Sequence, residues 1–346
     1  MCKGRQANKR PALGGKTVNE TTALDVRSVS KTYWERGKPG VKAVDDVSFS
    51  VAPNEVVGLL GPNGAGKTTI IKCILGIMRP DSGEISVFGQ DVQAHYPRVL
   101  EKMSAVLEGS RNLYWRLTVW ENILFFSGLN GISPRENREY FEYLIQLFSL
   151  QDKRDVQVRK LSQGMKQKTS VICALARRTP LIFLDEPTLG LDVETSLELR
   201  HVLRQLAQEE NRTIVVSSHD MDVIQDICQR VVILSSGRVI VNDQVNHLMQ
   251  LFGTRAYRIV LDAPLPPGLE EALTPHFTGV VITPHDTDVE LKVDLAERDD
   301  IYLLMDILRN TGAIINEISH EEVDLERVFL EIVRRERNGY VSGYSL

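Results

Sequence analysis

The run Gly61, Pro62, Asn63, Gly64, Ala65, Gly66, Lys67, Thr68 has the composition and order of a polyphosphate grip. Its glycines let successive backbone N–H groups turn into one concavity without obstruction from Cβ atoms, and a helix beginning at the end of the run adds the positive end of its dipole. Lys67 is placed to meet terminal phosphates. Thr68 supplies a hydroxyl for Mg²⁺, which takes oxygen ligands shared with phosphate, and Thr69 stands where another phosphate contact is available.

A second pair of groups complements the first. Asp185 and Glu186 close the apolar run Leu181-Ile-Phe-Leu184, and carboxylates at the C-terminal end of a strand lie where open α/β sheets bind ligands. Set beside a phosphate loop they divide the work: Asp185 holds the magnesium shell and Glu186 polarises the attacking water. Pro187 stiffens the turn that follows.

Such groups need a scaffold. Short alternating apolar runs from Ala23 to about Val51 predict an antiparallel flap, turned at Gly37, Pro39 and Gly40. Glu55 to Leu60 reads as a buried strand leading into the loop, and Thr68 to Met78 as a helix. Residues 118–150 carry apolar residues at helical spacing, with a helix start at Ser133-Pro134, and predict an inserted helical subdomain. Beyond it, Leu181 to Leu184, Ile214 to Val216 and Val231 to Leu234 alternate with helical stretches at Ser196 to Gln208 and Met221 to Cys228. That alternation predicts a mostly parallel sheet with helices on its faces. Pro264, Pro266, Pro267 and Gly268 then end the pattern. Strands at Tyr257 to Leu261, Val289 to Val293 and Ala313 to Ile318, with helices around Asp299 to Asn310 and Leu325 to Arg334, suggest a small second unit.

Bulk properties narrow the class. The 346 residues carry 41 Lys and Arg against 46 Asp and Glu, a net charge of -5, which argues against a nucleic-acid partner. No stretch approaches the roughly 18 uninterrupted apolar residues of a membrane helix. The basic N-terminus lacks the apolar segment of a secretory signal, so a cytosolic chain is expected. Cys2, Cys73, Cys173 and Cys228 are scattered, without a C-x-x-C pair, and read as inert packing thiols.

Residues 24–250 resemble the ABC ATPase family. Leu161-Ser-Gln-Gly-Met165 is similar to its signature motif, with Gln163 and Met165 in place of the commoner glycine and glutamine. Leu191-Asp192 resembles the D-loop, and His219 in Ser217-Ser-His-Asp220 the switch histidine. The resemblance implies that Ser162 and Gly164 contact the terminal phosphate held by an opposite protomer. It also implies that Tyr33 stacks on adenine, although neighbouring Trp34 offers an alternative ring. Where the family has its Q-loop glutamine this chain has Glu108, whose carboxylate would reach Mg²⁺ or its waters. The segment Glu322 to Leu330 resembles the tail of drug-export and sodium-export ATPases, in which the membrane protein is a separate polypeptide.

The fold so expected is α/β: a P-loop ABC cassette with a mostly parallel sheet, an antiparallel β flap and a helical subdomain, plus a small C-terminal α/β domain. The expected division is a disordered basic tail at 1–22, a nucleotide-binding domain at 23–250 with its helical subdomain at about 110–165, and the C-terminal domain at 254–336. Because the signature lies remote from the phosphate loop of its own chain, two cassettes, expected to be identical, would sandwich two ATP molecules. Glu186 and His219 would be catalytic, and Thr68, Asp185 and Glu108 would hold the metal. The protein would sit at the cytoplasmic face of a membrane on separate permease subunits, as an exporter. The alternative of another class is a soluble ABC ATPase acting on ribosomes or DNA, but such proteins commonly fuse two cassettes or carry long coiled-coil or zinc insertions.

Overall fold

The structure, a computed structural model, describes residues 22–321 apart from 35, 36, 38, 110, 111, 210, 211, 252–254, 286 and 296–298, and in addition 325, 329 and 332. The basic tail expected at 1–22 thus lies, but for Thr22, outside the described residues.

Strands β1 (Leu24–Tyr33) and β2 (Val41–Val51) form the flap. Strand β3 (Val56–Leu60) then runs into helix α1 (Lys67–Ile74). The helix stops short of Met78, because the N–H of Gly76 turns to Cys73 O three residues back. Strands β4 (Ser82–Val87) and β5 (Gln90–Asp91) rejoin the flap in the order β2-β1-β4-β5. After α2 (Tyr96–Leu100) and β6 (Met103–Val106) comes the helical insert, α3 (Val119–Leu129) and α4 (Arg138–Leu147). Thr118 starts α3 with a capping box: its Oγ1 accepts the Glu121 N–H and Glu121 Oε2 accepts the Thr118 N–H, an arrangement contributing about 1 kcal/mol. Ser133-Pro134 form the preceding turn rather than a helix start, and α4 begins at Arg138.

Helix α5 (Gln163–Ala176) leads to β7 (Leu181–Asp185), α6 (Val193–Glu209), β8 (Thr213–Ser218), α7 (Met221–Ile227), β9 (Arg230–Ser235), β10 (Arg238–Gln244) and α8 (Val245–Leu251). The central sheet has the order β10-β9-β3-β8-β7-β6, parallel except at the β10 edge. Strands β3, β7 and β8 are buried on both faces, and the two-residue period of a strand divides their side chains between two cores. Val56 and Leu60 of β3 face α3 to α7; Val57 and Leu59 face α1 and the flap. Cys73, Cys173 and Cys228 are packing residues of these cores, and burial pushes the Cys73 thiol up to about 11.

The remaining elements are β11 (Arg255–Asp262), α9 (Leu269–Leu273), β12 (Thr278–Pro284), β13 (Asp288–Leu295), α10 (Asp300–Asn310) and β14 (Ile315–Glu321). They form an antiparallel sheet, β12-β13-β11-β14, the split β-α-β-β-α-β arrangement, around a core of its own that includes Ile259, Leu291 and Leu304. Helix α9 and strand β12 were not legible behind the proline cluster. The chain then returns to the cassette. Leu325, Phe329 and Ile332, spaced as one helix face, are buried in the cassette core, and the Leu325 N–H donates to Gln225 Oε1 of α7.

Candidate nucleotide and catalytic site

The parallel register aligns the ends of three neighbouring strands. Leu60 lies beside Ser218, and Asp185 beside Ser217. The loop after β3, the carboxylates after β7 and the histidine after β8 therefore meet at one rim of the sheet, around a cavity of about 510 Å³ lined by residues 63–69 with Glu108, Glu186, Leu189 and His219.

The loop is tight. Gly66 caps α1 at a φ of +104°, and a Cβ there would meet Ala43 O at 2.4 Å, so glycine is required on conformation and on space. Lys67, only 6% exposed, donates through Nζ to Gly61 O at 2.6 Å and lies 3.3 Å from Glu186 Oε1. The ammonium is thus held at the mouth of the loop, between carbonyls and a carboxylate.

Behind it sits a network of oxygens. The Thr68 hydroxyl donates to Asp185 Oδ1 at 3.2 Å, and Ser217 Oγ donates to the same oxygen at 2.5 Å. Asp185 Oδ2 is buried and has no hydrogen-bond partner. A bare carboxylate oxygen beside a hydroxyl is the donor set that a hard divalent cation takes, and Mg²⁺ usually binds through one or two carboxylates with phosphate and water completing its shell. The residues present fit that ion. Among the described residues no group of three or more His, Cys, Asp and Glu side chains is placed to hold a metal.

Glu186 is 7% exposed and has a left-handed backbone at φ +50°, a conformation that costs a non-glycine residue about 1 kcal/mol or more. Its N–H is shared between Ser217 O at 3.1 Å and Ser217 Oγ at 3.2 Å. Its two oxygens point to different partners, Oε1 to Lys67 and Oε2 to His219 Nδ1 at 2.9 Å. A carboxylate fixed between a cation and an imidazole at the edge of a cavity lined by the glycine-rich loop can orient a water and take its proton.

A scan against protein-family models matches residues 44–189 to the ABC transporter model. The ABC transporter ATP-binding protein NatA of Bacillus subtilis is 37% identical over 227 residues, covering 66% of this chain and 92% of its own. The Nod factor export ATP-binding protein I of Burkholderia thailandensis is 32% identical over 314 residues, 90% of this chain and 97% of its own. This chain belongs to the ABC transporter ATP-binding family. Also similar is the methionine import ATP-binding protein MetN of Myxococcus xanthus, 35% identical over 72% of this chain and 77% of its own. A solved dimeric ATP-binding cassette in a post-hydrolysis state with ADP and Pi superposes with a TM-score of 0.58 at 25% identity, over 64% of this chain and 98% of that one. The chain is an ATP-binding ABC ATPase.

Within this ABC cassette, Gly61, Asn63, Gly64, Ala65, Gly66, Lys67, Thr68, Thr69, Asp185, Glu186 and His219 come together at the rim. Tyr33 joins them, its hydroxyl 3.2 Å from Thr69 Oγ1. Neither ring lines the cavity, and Trp34 is 79% exposed. Glu108 lines the cavity from the loop after β6, a loop held by Asn112, whose Nδ2 donates to Leu107 O and Gly109 O.

Ser162 and Gly164 do not join this cluster. Ser162 is the exposed N-cap of α5, its Oγ accepting the Met165 N–H at 3.3 Å. Gly164 is buried against α6, where an added Cβ would meet Thr195 Cγ2 at 2.7 Å. Asp192 accepts from the Thr195 N–H and then from its hydroxyl, and these bonds hold its carboxyl below the usual range. Lys168 and Glu198 add an ion pair between α5 and α6. Sequence reasoning missed Ser217 and Asn112. Ser217 stood in the quoted run with His219, and only its register opposite Asp185 reveals its contacts.

Proposed function

We propose that this ABC ATPase binds Mg²⁺ and ATP at the β3, β7 and β8 rim and closes on a second, identical cassette to power export through separate membrane-spanning subunits. The observation that carries the proposal is the convergence of Lys67, Glu186 and His219 about one cavity, with Asp185 beside it bonded to Thr68. Gly61, Asn63, Gly64, Ala65, Gly66 and Thr69 cradle the phosphates, Lys67 neutralises their terminal charge, and Tyr33 stacks on adenine. Thr68 and Asp185 hold the cation, with Glu108 facing it from across the cavity. When bound, the cation offsets charge developing on the phosphate oxygens. Glu186 positions a water in line with the γ-phosphate and accepts its proton, and His219, bonded to Glu186, senses that phosphate.

Ser162 and the α5 N-terminus supply the phosphate contact of the opposing protomer: a hydroxyl and free N–H groups at a helix start form an anion site. Gly164 lets α5 approach α6 and brings its own backbone to that contact. The exposed setting of this end, away from the cavity of its own chain, supports head-to-tail pairing of cassettes.

A groove of about 420 Å³ between the sheet edge and α5, lined by Asn112, Leu113, Tyr114, Phe126 and Arg177 among others, supports docking of a membrane partner. Beside it Tyr114, Trp115, Phe125 and Leu129 are exposed, an apolar patch of the kind that marks a protein interface. Among the described residues no helix is long and apolar enough to cross a membrane, so spanning subunits would be other chains and this one would lie peripherally at the cytoplasmic face. Similarity to a protein named for export over 314 residues supports the direction.

The cassette is assigned residues 23–250, with its helical subdomain at about 110–165, and the C-terminal unit residues 254–336, anchored to the cassette through Leu325, Phe329 and Ile332. Purification of the tagged chain in gentle detergent, with and without ATP, tests the whole reading. A multi-spanning membrane protein should co-purify; ribosomes or DNA in its place would overturn the proposal.

A further inference from the structure

The carboxylates Asp185 and Glu186 are not held by the phosphate loop alone. Both are tied to one hydroxyl on the neighbouring strand. Ser217 is fully buried at the register position beside Asp185. Its hydroxyl donates to Asp185 Oδ1 at 2.5 Å and accepts the Glu186 N–H at 3.2 Å. We propose that Ser217 is a positioning residue for hydrolysis, fixing the rotation of the Asp185 carboxylate and the strained backbone of Glu186 through one hydroxyl.

The geometry gives each bond a separate task. Asp185 Oδ1 receives two donors, the Ser217 and Thr68 hydroxyls, while Oδ2 receives none. A carboxylate has broad, roughly two-fold freedom about its last torsion. Loading one oxygen with donors stops that rotation and leaves the other bare, free to take a cation shared with phosphate. The second task concerns Glu186, whose φ of +50° persists only when its surroundings hold it. The Ser217 carbonyl and hydroxyl share the Glu186 N–H. The side chain is thereby directed to Lys67 and His219. An aliphatic residue in β8 would keep the ladder bond to Ser217 O and lose both hydroxyl bonds.

This inference rests on the proposed roles of Asp185 and Glu186. The test compares the parent with Ser217→Ala, and Ser217→Thr with Ser217→Val, a pair of nearly equal volume that differs in the hydroxyl. Binding of a fluorescent ATP analogue is titrated in EDTA and then with Mg²⁺, and steady-state ATPase gives kcat and KM separately. Ser217→Ala and Ser217→Val should bind the analogue in EDTA as the parent does. They should need roughly two- to tenfold more Mg²⁺ for the half-maximal response, the cost of one freed rotamer, and show kcat lowered about tenfold with KM within about twofold, as for one lost hydrogen bond to a charged group. Ser217→Thr should restore both quantities toward the parent.

A Mg²⁺ midpoint and kcat unchanged in Ser217→Ala would overturn the proposal, as would equal behaviour of the Thr and Val variants. Weakened binding in EDTA would do so too, since it marks a general packing role. If the larger variants fail to fold, the Ala comparison still decides. Hydrolysis at the parent rate by Glu186→Gln would instead remove the underlying reading of the carboxylates, so the two failures are separable.

Discussion

The rim at the ends of β3, β7 and β8 and the N-terminus of α5 are both suited to phosphate, yet they are built in opposite ways. At the rim, Lys67, Asp185 and Glu186 are buried and interlocked, each charge held by a partner within the same chain. At α5, Ser162 is exposed and its hydroxyl accepts from its own helix, while Gly164 faces inward to Thr195. Buried charge must be paired where it lies, whereas an exposed helix start can remain open for a ligand carried by another molecule. On the proposed function, the rim is the chemical centre and the α5 start supplies one half of a contact between cassettes.

The contrast can be broken most severely at the rim. Glu186→Gln should reduce kcat by roughly 10² to 10⁴ while leaving ATP binding close to the parent, measured by steady-state hydrolysis and equilibrium nucleotide binding; turnover like the parent's would remove Glu186 as the base. Ser162→Ala should act differently. Hydrolysis should fall about 10- to 10²-fold, the worth of one charge-assisted hydrogen bond, with nucleotide binding to the isolated monomer unchanged. If ATP-induced dimerisation, followed by light scattering in the Glu186→Gln background, is unaffected by Ser162→Ala, the open end is not an intermolecular contact.

A smaller effect is expected from Glu108→Gln. An exposed carboxylate across the cavity contributes about 0.5 to 1 kcal/mol to cation attraction. The variant should therefore need about two- to fivefold more Mg²⁺ for half-maximal activity, more visibly at low salt. No shift at any ionic strength would show that Glu108 does not face the metal.

The smallest effect on turnover belongs at the opposite end of the sheet. Arg230, at the start of β9, pairs with Glu55, which precedes β3. Burial by itself would raise the Glu55 carboxyl, but hydrogen bonds from Arg230 and the Ala52 N–H outweigh it and leave the group below its ordinary 4.5. A carboxyl lowered in the folded state contributes stability above its unfolded value and loses it as pH falls through the folded one. Thermal melts from pH 7 down to 3 should show the parent losing stability below about pH 4.5 more steeply than Glu55→Gln, with kcat at neutral pH the same in both. A change in kcat would mean that this ion pair reaches the site after all.

Much of this was legible in residue order. Continuous apolar runs ended by glycine-rich or acidic turns marked β3 and β7, and these carry their chemistry with them, since a strand end fixes where its next residues go. The insert was legible by helical spacing, although the helix starts were misplaced at Ser133-Pro134, where the turn comes first and Arg138 opens α4. The C-terminal sheet was half legible: α9 has five residues, and β12, which like it lies behind three prolines, has no buried side chain among its described residues. The return of Leu325, Phe329 and Ile332 to the cassette had no local signal, because the same apolar helix face would serve either core.

By itself the sequence determined the phosphate loop, the carboxylate pair and the α/β scaffold, because backbone conformation, charge and hydrophobic period act between near neighbours, whereas His219 was singled out by family resemblance. Tertiary structure alone decided which partner each charge takes: that Glu186 lies between Lys67 and His219, that Ser217 bridges both carboxylates, and that Gly164 spaces α5 from α6. Those contacts join residues separated by 31 or more positions, and they exist only once strand register has set the ends of β3, β7 and β8 side by side.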